Sequence, residues 1–196
     1  MRKKPSIKTL TALMLMGFSG YASSSPVEGV IGIGYDFGGD TLVTAVYANG
    51  DSQDIKSHEG LSLYGGADMY FGGSFKARGT VGYKFTTTSA SNGEVSFSRV
   101  PFDLVIFNNL GRHSFGIGGT YHTAVELECV IPGSCNGTAS FDDSFGLVFQ
   151  YEYAFDFGNN TQVVLGAKYT NIEYTVKATG ATVDSGGAGV TLGFLF

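Results

Sequence analysis

His122 and Glu126 come closest, in residue type and spacing, to a catalytic arrangement, and hydroxyl side chains lie nearby in the sequence. A histidine oriented by a carboxylate can activate a neighbouring hydroxyl as the nucleophile of an acyl hydrolase. Because alternate residues of a strand face the same side, both side chains are predicted on one face. The interpretation that we favour is a hydrogen-bonded interior histidine. His58 and His113 stand alone at strand edges and are expected to be exposed to solvent.

Cys129 and Cys135 are the two cysteines of the sequence, and they bracket a turn-forming run centred on Pro132 and Gly133. A close cysteine pair in an exported chain predicts a local disulfide. The competing interpretation is a metal site. Since no histidine or third cysteine is near, the two thiols would make an incomplete zinc site, and the disulfide is favoured.

Residues 1–22 have the pattern of an export signal. Basic side chains come first, at Arg2, Lys3, Lys4 and Lys8. A short apolar run, Leu10–Phe18, and the small-residue site Gly20–Ala22 follow, as in a cleaved signal peptide. The run is too short to span a bilayer as a helix. Cleavage after Ser24 and an ordinary buried helix are the alternatives.

Composition then limits the function of the remaining domain, residues 23–196. The chain has 12 Lys and Arg and 17 Asp and Glu. Without the four basic residues of the signal, eight basic and 17 acidic residues remain, a net charge of −9. Such a chain is a poor nucleic-acid binder, because phosphate contacts need Lys and Arg. No later segment is apolar for eighteen residues, so no transmembrane helix is predicted. A closed β-barrel can still span a membrane.

Strand patterns cover most of this domain, which is about 174 residues long and is predicted to be one all-β unit. Eight segments alternate apolar side chains with small or polar ones. They are Val30–Gly38, Leu61–Phe71, Phe75–Phe85, Ser96–Asn108, Ser114–Glu126, Ser144–Phe157, Gln162–Thr170 and Gly187–Phe196. The fold class predicted is an eight-stranded antiparallel up-and-down transmembrane β-barrel. Pro101 predicts a bulge within residues 99–103, because proline cannot donate a ladder hydrogen bond.

The connections alternate between short and long, as in outer-membrane barrels with tight periplasmic turns and longer outer loops. Eight strands would put both termini in the periplasm. The first long connection, residues 39–60, contains a strand-like run and the hairpin signal Asn49-Gly50. It predicts a hairpin beyond the membrane. A bulge at Gly38-Gly39 that continues the first strand to Tyr47, or a barrel of ten strands, is the alternative.

The polar face of the strands mixes glycine with charges of both signs. In an eight-stranded barrel, side chains fill the interior, and buried charges must be paired. The charges predicted to point inward are Lys76, Arg78, Lys84, Arg99 and Lys168 against Asp36, Asp68, Asp103, Glu126, Glu152 and Asp156. Four of them, Arg78, Asp103, Glu152 and Lys168, are predicted to meet near the membrane midplane as an interior charge network.

The last ten residues, 187–196, place Val190, Leu192, Phe194 and Phe196 on one apolar face. This segment resembles the closing strand of bacterial outer-membrane barrels, whose terminal aromatic is read by the barrel-assembly machinery. The domain as a whole resembles small eight-stranded barrels of the OmpA, OmpX and OmpW kind. The resemblance implies a location in the outer membrane of a Gram-negative bacterium, with membrane lipid and the assembly machinery as partners.

The resemblance is architectural and implies no activity. Lipid A deacylases of similar size carry a His-x-Ser-Asn run on the lipid-facing surface, whereas this chain has Tyr121-His122-Thr123-Ala124, with His122 predicted inward. The match fails at two positions. We therefore expect a protein without catalysis, cofactor or metal that acts through its outer loops, with an unknown partner there. A narrow channel for small solutes and a lipid A-modifying acyl hydrolase are the alternatives.

Overall fold

The computed structural model describes residues 27–46, 52–90, 93–131, 135–157 and 161–196. The predicted export signal and the Asn49-Gly50 turn lie outside the described residues. The described chain forms thirteen strands. They are β1 (Val27–Gly38), β2 (Thr41–Val46), β3 (Ser52–Lys56), β4 (Gly60–Phe71), β5 (Phe75–Ala90), β6 (Gly93–Leu110), β7 (His113–Ile131), β8 (Cys135–Ser140), β9 (Ser144–Asp156), β10 (Gln162–Asn171), β11 (Glu173–Thr175), β12 (Thr182–Asp184) and β13 (Gly187–Leu195). None of the described residues belongs to a helix long and apolar enough to cross a membrane.

Eight of these strands form a closed barrel. Their order is β6-β5-β4-β1-β13-β10-β9-β7, and β7 pairs with β6 to complete the circle. Every pairing is antiparallel, and the last strand closes the barrel against the first, with Val30 opposite Leu195 and Tyr35 opposite Val190. This arrangement confirms the predicted fold class. Closure leaves no barrel strand with an unpaired edge, so the backbone polar groups are satisfied within the wall.

The two faces of the wall are reversed relative to those of a water-soluble protein. Large apolar side chains point outward, and Ile31, Leu104 and Ile117 are 53%, 64% and 57% exposed. Charged side chains point inward, and Asp68 and Glu152 are 0% and 1% exposed. An outward apolar belt around a polar interior is stable only in a membrane. The alternation read from the sequence therefore describes the wall correctly.

The described connections at the barrel end where Val27 and Phe196 lie are short. Gly72 and Gly73, with φ of 61° and 76°, make the turn between β4 and β5, and Gly111, with φ of 65°, makes the turn between β6 and β7. These positive φ values favour glycine because other residues are strained there. The turns bring successive strands directly side by side in the order of the chain.

The opposite end carries a folded cap, which we define as the described parts of residues 39–59, 86–98, 125–143 and 172–185. Here β2 pairs with β3, β8 adds to the outer part of β7, and β11 pairs with β12. The predicted hairpin in residues 39–60 is thus confirmed, and the ten-strand alternative is wrong because β2 and β3 form a separate sheet. Strands β5–β7 are longer than predicted because they continue from the barrel into the cap.

The cap has a hydrophobic core of its own. It contains Ile55, Val95, Phe97, Val125, Cys129, Phe141, Ile172 and Tyr174. Phe97 is 0% exposed, and its ring meets those of Phe141 and Tyr174 at centroid distances of 5.8 Å and 6.1 Å. Since these residues come from β6, from β11 and from the segment before β9, the core ties separate connections into one folded unit over the barrel mouth.

A β-bulge marks the passage from barrel to cap. Val100 of β6 lies opposite Thr123, but Ser98 lies opposite Glu126, so β7 has one residue more than β6 across this step. Ala124, with φ of 50°, lies in the extra step. The bulge is close to the one predicted around Pro101, but the additional residue is in the partner strand.

The bulge reverses which residues of β7 point inward. His122 is buried before it, whereas Glu126 is exposed after it. The prediction that Glu126 points into the barrel is therefore wrong. Asp156 keeps the inward parity of Glu152 and lines the cavity that opens at this end of the barrel, so it is exposed to solvent although it is on the inward face.

Candidate functional site

Four charged side chains lie together in the lumen in the half nearer the short turns, and we call Asp68, Lys76, Arg78 and Glu152 the inner layer. Lys76 Nζ lies 2.9 Å from Asp68 Oδ2 and 3.4 Å from Glu152 Oε2. Arg78 donates from Nε and Nη2 to the two oxygens of Asp68, at 2.6 Å and 2.8 Å, and its Nη1 contacts Glu152 Oε1. Two cations thus share two carboxylates, which is the balanced arrangement that buried charges require.

The strand geometry explains how this layer forms. Lys76 and Arg78 are alternate residues of β5 and so share the inward face. Asp68 of β4 lies directly opposite Arg78, and Glu152 reaches them from β9 on another side of the barrel. Phe107 lies beside both cations, with its ring centroid 4.9 Å from Lys76 Nζ and 5.1 Å from Arg78 Cζ. These side chains are therefore in contact across the lumen.

A second group of charges lies nearer the cap, and we call Asp36, Lys84, Arg99, Asp103 and Lys168 the outer layer. Lys84 Nζ lies 3.0 Å from Asp36 Oδ2, and Lys168 Nζ lies 2.6 Å from Asp103 Oδ2. Arg99 is 0% exposed and donates from Nη2 to the carbonyl oxygens of the two residues before β4, at 2.7 Å and 3.1 Å. Its guanidinium also stacks on a cap side chain, with Cζ 4.6 Å from the ring centroid of Phe97.

His58 enters the lumen from the cap. Its backbone N–H donates to the carbonyl oxygen of Gly38 at 3.3 Å, and the neighbouring Ser57 hydroxyl donates to the carbonyl oxygen of Asp184 at 2.7 Å. The imidazole is 2% exposed, and its Nε2 lies 3.6 Å from Asp36 Oδ1. The prediction that His58 is exposed is therefore wrong. Burial lowers the pKa of His58, and the Asp36 carboxylate partly opposes this effect.

His122 does not form the predicted pair with Glu126, because the bulge turns Glu126 to the outside. The imidazole is 3% exposed, and its Nδ1 is hydrogen bonded with the hydroxyl of Tyr174, which belongs to the cap. Burial raises the pKa of Tyr174 to about 12. No motif in the sequence marks this partner, which is 52 residues away. His122 therefore joins the barrel to the cap through a neutral hydroxyl group.

The four residues of the predicted network lie in the lumen as two separate ion pairs. Arg78 contacts Glu152, and Lys168 contacts Asp103. The prediction omitted Asp68 and Lys76, which complete the first pair. Their positions on the inward faces of adjacent strands were visible in the sequence, but the register that sets Asp68 against Arg78 was not.

The remaining predicted residues lie at the two ends of the molecule. Cys129 and Cys135 are disulfide bonded, with a Cα–Cα distance of 5.8 Å, where β7 and β8 meet in the cap. Phe196 exchanges two backbone hydrogen bonds with Gly29, at 2.8 Å and 3.0 Å. In the terminal strand Val190, Phe194 and Phe196 are exposed on the outward face, and Leu192 is half-buried. Recognition of these four side chains by the barrel-assembly machinery stays a prediction.

Two cavities lie on either side of the inner layer. One is internal, with a volume of about 40 Å³, and is bounded by Arg78 on one side and by His58 and Lys84 on the other. The second, of about 330 Å³, opens at the end with the short turns, and Lys76 is among its lining residues. The described residues include no group of three or more His, Cys, Asp or Glu side chains placed to hold a metal ion.

No protein-family model matches the sequence, and no curated protein matches it. Solved structures do match. Neisserial surface protein A is 12% identical, with 87% of this chain and 96% of that chain covered and a TM-score of 0.53. Ail, the attachment invasion locus protein of Yersinia pestis, is 10% identical, with 87% and 97% covered and a TM-score of 0.51.

These similarities agree with the closed eight-stranded barrel and with the architectural resemblance seen in the sequence. Barrels with an outward apolar band of this kind reside in outer membranes. The chain therefore has the fold and the location of an outer-membrane β-barrel.

Proposed function

We propose that this protein is a non-enzymatic outer-membrane barrel with a closed lumen, and that it acts at the cell surface by binding partners to its cap. The observation that carries the proposal is the combination of a charge-paired inner layer in the lumen and a folded cap. The inner layer holds its charges in direct contact. Above it, the cap buries aromatic rings in its own core. A cap with its own core presents a fixed surface to partners. An open pore would instead need water in the part of the barrel mouth that the cap occupies.

Charge indicates the kind of partner. The acidic residues of the described cap are Asp40, Asp54, Glu59, Glu94, Glu126, Glu128, Asp142, Asp143, Glu173 and Asp184, and its basic residues are Lys56 and Lys177. Glu94, Glu126 and Glu128 are exposed on the outer face of β6 and β7, where Glu94 lies opposite Val130, two residues from Glu128. This acidic face favours a cationic partner through complementary potential. The Ail structure contains the heparin analogue sucrose octasulfate, and a polyanion of that kind would be repelled here.

The test is binding to intact cells that display the protein, so that only the outer surface is accessible. We expect wild-type cells to bind soluble poly-lysine and not heparin. The triple variant Glu94→Gln, Glu126→Gln and Glu128→Gln should bind poly-lysine roughly tenfold more weakly, since each exposed charge pair contributes up to about 1 kcal/mol. Asp156→Asn, an exposed acid at the opposite end, is the control and should leave binding unchanged. Binding of heparin, or equal binding by the triple variant, would contradict the proposal.

A narrow channel is the second candidate, and the two cavities on either side of the inner layer favour it. Planar bilayers distinguish the two functions. The closed-lumen proposal expects few ions to be conducted by the wild type. Steady single-channel currents whose conductance changes in Glu152→Ala, with no loss of stability, would contradict the closed-lumen proposal and support the channel.

Lipid A hydrolysis has less support. His122 is buried against Tyr174, and among the described residues no carboxylate forms an ion pair with it. Incubation of the purified barrel with lipid A, followed by mass spectrometry of the released fatty acids, tests this alternative. We expect no release above that of a His122→Gln control.

A further inference from the structure

The two layers of the lumen differ in charge balance. The inner layer has two cations and two carboxylates in mutual contact. The outer layer has three cations, Lys84, Arg99 and Lys168, and two carboxylates, Asp36 and Asp103, each of which is paired with a lysine. Arg99 takes part in none of the ion pairs among the described residues. The outer layer therefore has an excess of one positive charge.

The position of Arg99 makes this excess costly. Arg99 lies directly opposite Lys84 in the pairing of β5 with β6, and both side chains are buried in the lumen. Like charges in directly opposed positions are destabilising, and a buried charge without a counter-ion is more so. Of the guanidinium nitrogens, only Nη2 has hydrogen-bond acceptors, while Nε and Nη1 have no partner within the described chain.

Lys84, one of these two cations, lines the internal cavity together with His58, and the carboxylates of Asp36 and Asp103 line it as well. His58 is 2% exposed, and neither of its ring nitrogens has a hydrogen-bond partner among the described residues. The hydroxyls of Tyr64 and Thr170, which also line the cavity, are buried without partners there as well. The cavity thus has several potential donors, and its charged lining residues are three cations, Arg78, Lys84 and Lys168, and two carboxylates, Asp36 and Asp103, a net charge of +1. One oxygen of Asp103 is also buried without a hydrogen-bond partner among the described residues.

We propose that this cavity binds one small monovalent anion of the size of chloride. Lys84, His58 and the hydroxyls of Tyr64 and Thr170 would contact the ion, and its charge would offset that of Arg99. The volume of about 40 Å³ exceeds the roughly 10–15 Å³ that one water requires, so a chloride or bromide ion fits whereas a large organic anion does not. An uncharged Lys84 would also restore neutrality, and it would do so without any ion.

Stability in salts of different anions separates these possibilities. The protein is refolded in detergent in sodium chloride, sodium bromide or sodium gluconate at equal sodium concentration, and the temperature at which the folded band disappears on a gel is measured. An ion that binds only the folded state stabilises it. We expect the midpoint in chloride and bromide to exceed that in gluconate by about 5 °C. Equal midpoints in the three salts would overturn the proposal and favour an uncharged Lys84.

Two arginine variants localise the effect. Arg99→Met removes the uncompensated charge and should abolish the difference between bromide and gluconate. Arg112→Met changes an arginine whose side chain is 63% exposed near the other end of the barrel, and it should keep the full difference. A difference that persists in Arg99→Met would overturn the assignment to this cavity.

Crystals of the wild type in bromide give a direct readout that does not depend on whether Arg99→Met folds. We expect an anomalous peak within contact distance of Lys84 Nζ and the His58 ring. Bromide peaks confined to the surface would overturn the proposal.

Discussion

The barrel and the cap bury opposite kinds of side chain, although β6 and β7 run through both. In the barrel, Arg78 and Glu152 lie inside and Ile117 points outward; in the cap, Phe97 lies inside and Glu128 points outward. The difference follows from the surroundings of each region. Lipid accepts an apolar outer face and forces polar groups inward, whereas water does the reverse. The type of side chain on the inward face of each part of a strand thus depends on whether lipid or water surrounds that part.

The two strands make this change in different ways. β6 keeps the same parity and changes residue type, from Asp103 and Arg99 in the lumen to Phe97 and Val95 in the cap core. β7 changes parity through the bulge at Ala124, so that even-numbered residues point inward before it and odd-numbered ones after it. The boundary between the regions is therefore defined to within a few residues on both strands.

The largest expected effect is in the barrel. Glu152→Ala leaves Lys76 and Arg78 with one carboxylate between them, and loss of one partner of a buried ion pair costs about 3–5 kcal/mol. We expect this loss in the free energy of unfolding, measured by urea titration in detergent micelles and followed by far-ultraviolet circular dichroism, because the chain has no tryptophan.

The matched control for that change is Glu126→Ala, an acid on the outside of the cap. Its effect should stay within about 0.5 kcal/mol, as for surface substitutions in general. If Glu152→Ala and Glu126→Ala cost the same, the contrast between a charge-paired barrel interior and a solvated cap surface would be wrong.

A somewhat smaller effect is expected in the cap. Phe97→Ala removes a ring that packs on Phe141, Tyr174 and the Arg99 guanidinium, and such core truncations cost about 3 kcal/mol. Because the cap has its own core, we expect the loss to appear as local opening. Amide hydrogen exchange in β11 and β12 should accelerate roughly a hundredfold, with little change in the barrel strands.

Phe102→Ala provides the comparison, because Phe102 is on the same strand but faces lipid and is 47% exposed. It should not change exchange in the cap. Uniform acceleration of exchange across the barrel and the cap in Phe97→Ala would show that the two regions unfold together, and that the cap has no separate stability of its own.

The sequence predicts the barrel wall better than it predicts the cap. In Ser144–Asp156 every second residue faces lipid, so the alternation alone identifies the strand and its faces. The inversion at Ala124 has no such signal, since alanine is not a residue that favours positive φ, and the alternation therefore predicts the wrong face for Glu126. The burial of His58 is not predicted for a different reason. Its burial depends on contacts with Gly38 and Asp36, which no local pattern records.

A third prediction concerns the bulge that separates the two regions. Ala124 has φ of 50°, a conformation that costs a non-glycine residue about 1–2 kcal/mol. Ala124→Gly should remove this strain, offset in part by the greater chain entropy of glycine when unfolded. We expect the free energy of unfolding to stay unchanged or to rise by about 1 kcal/mol, measured by the same urea titration.

At a regular strand position the same substitution should have the opposite sign. Ala77→Gly in β5, opposite Met69 and Ile106, is expected to cost about 0.5–1 kcal/mol. A loss in Ala124→Gly as large as that in Ala77→Gly would indicate that β7 passes into the cap without the bulge, and that Glu126 reaches its exposed position in some other way.

The smallest effect is spectroscopic and concerns Tyr174, which joins the cap core to His122 of the barrel. Burial raises the pKa of its phenol to about 12 from an ordinary value of 10.0. Folding stabilises the neutral form of the phenol. The contribution of Tyr174 to the free energy of unfolding is therefore fully present below pH 10 and is lost between about pH 10 and 12. The tyrosinate absorbance of the wild type minus that of Tyr174→Phe should therefore rise near pH 12 in the folded protein and near pH 10 after unfolding. A difference curve centred near pH 10 in the folded protein would mean that Tyr174 is in contact with water, and that the cap core does not exclude water as its packing indicates.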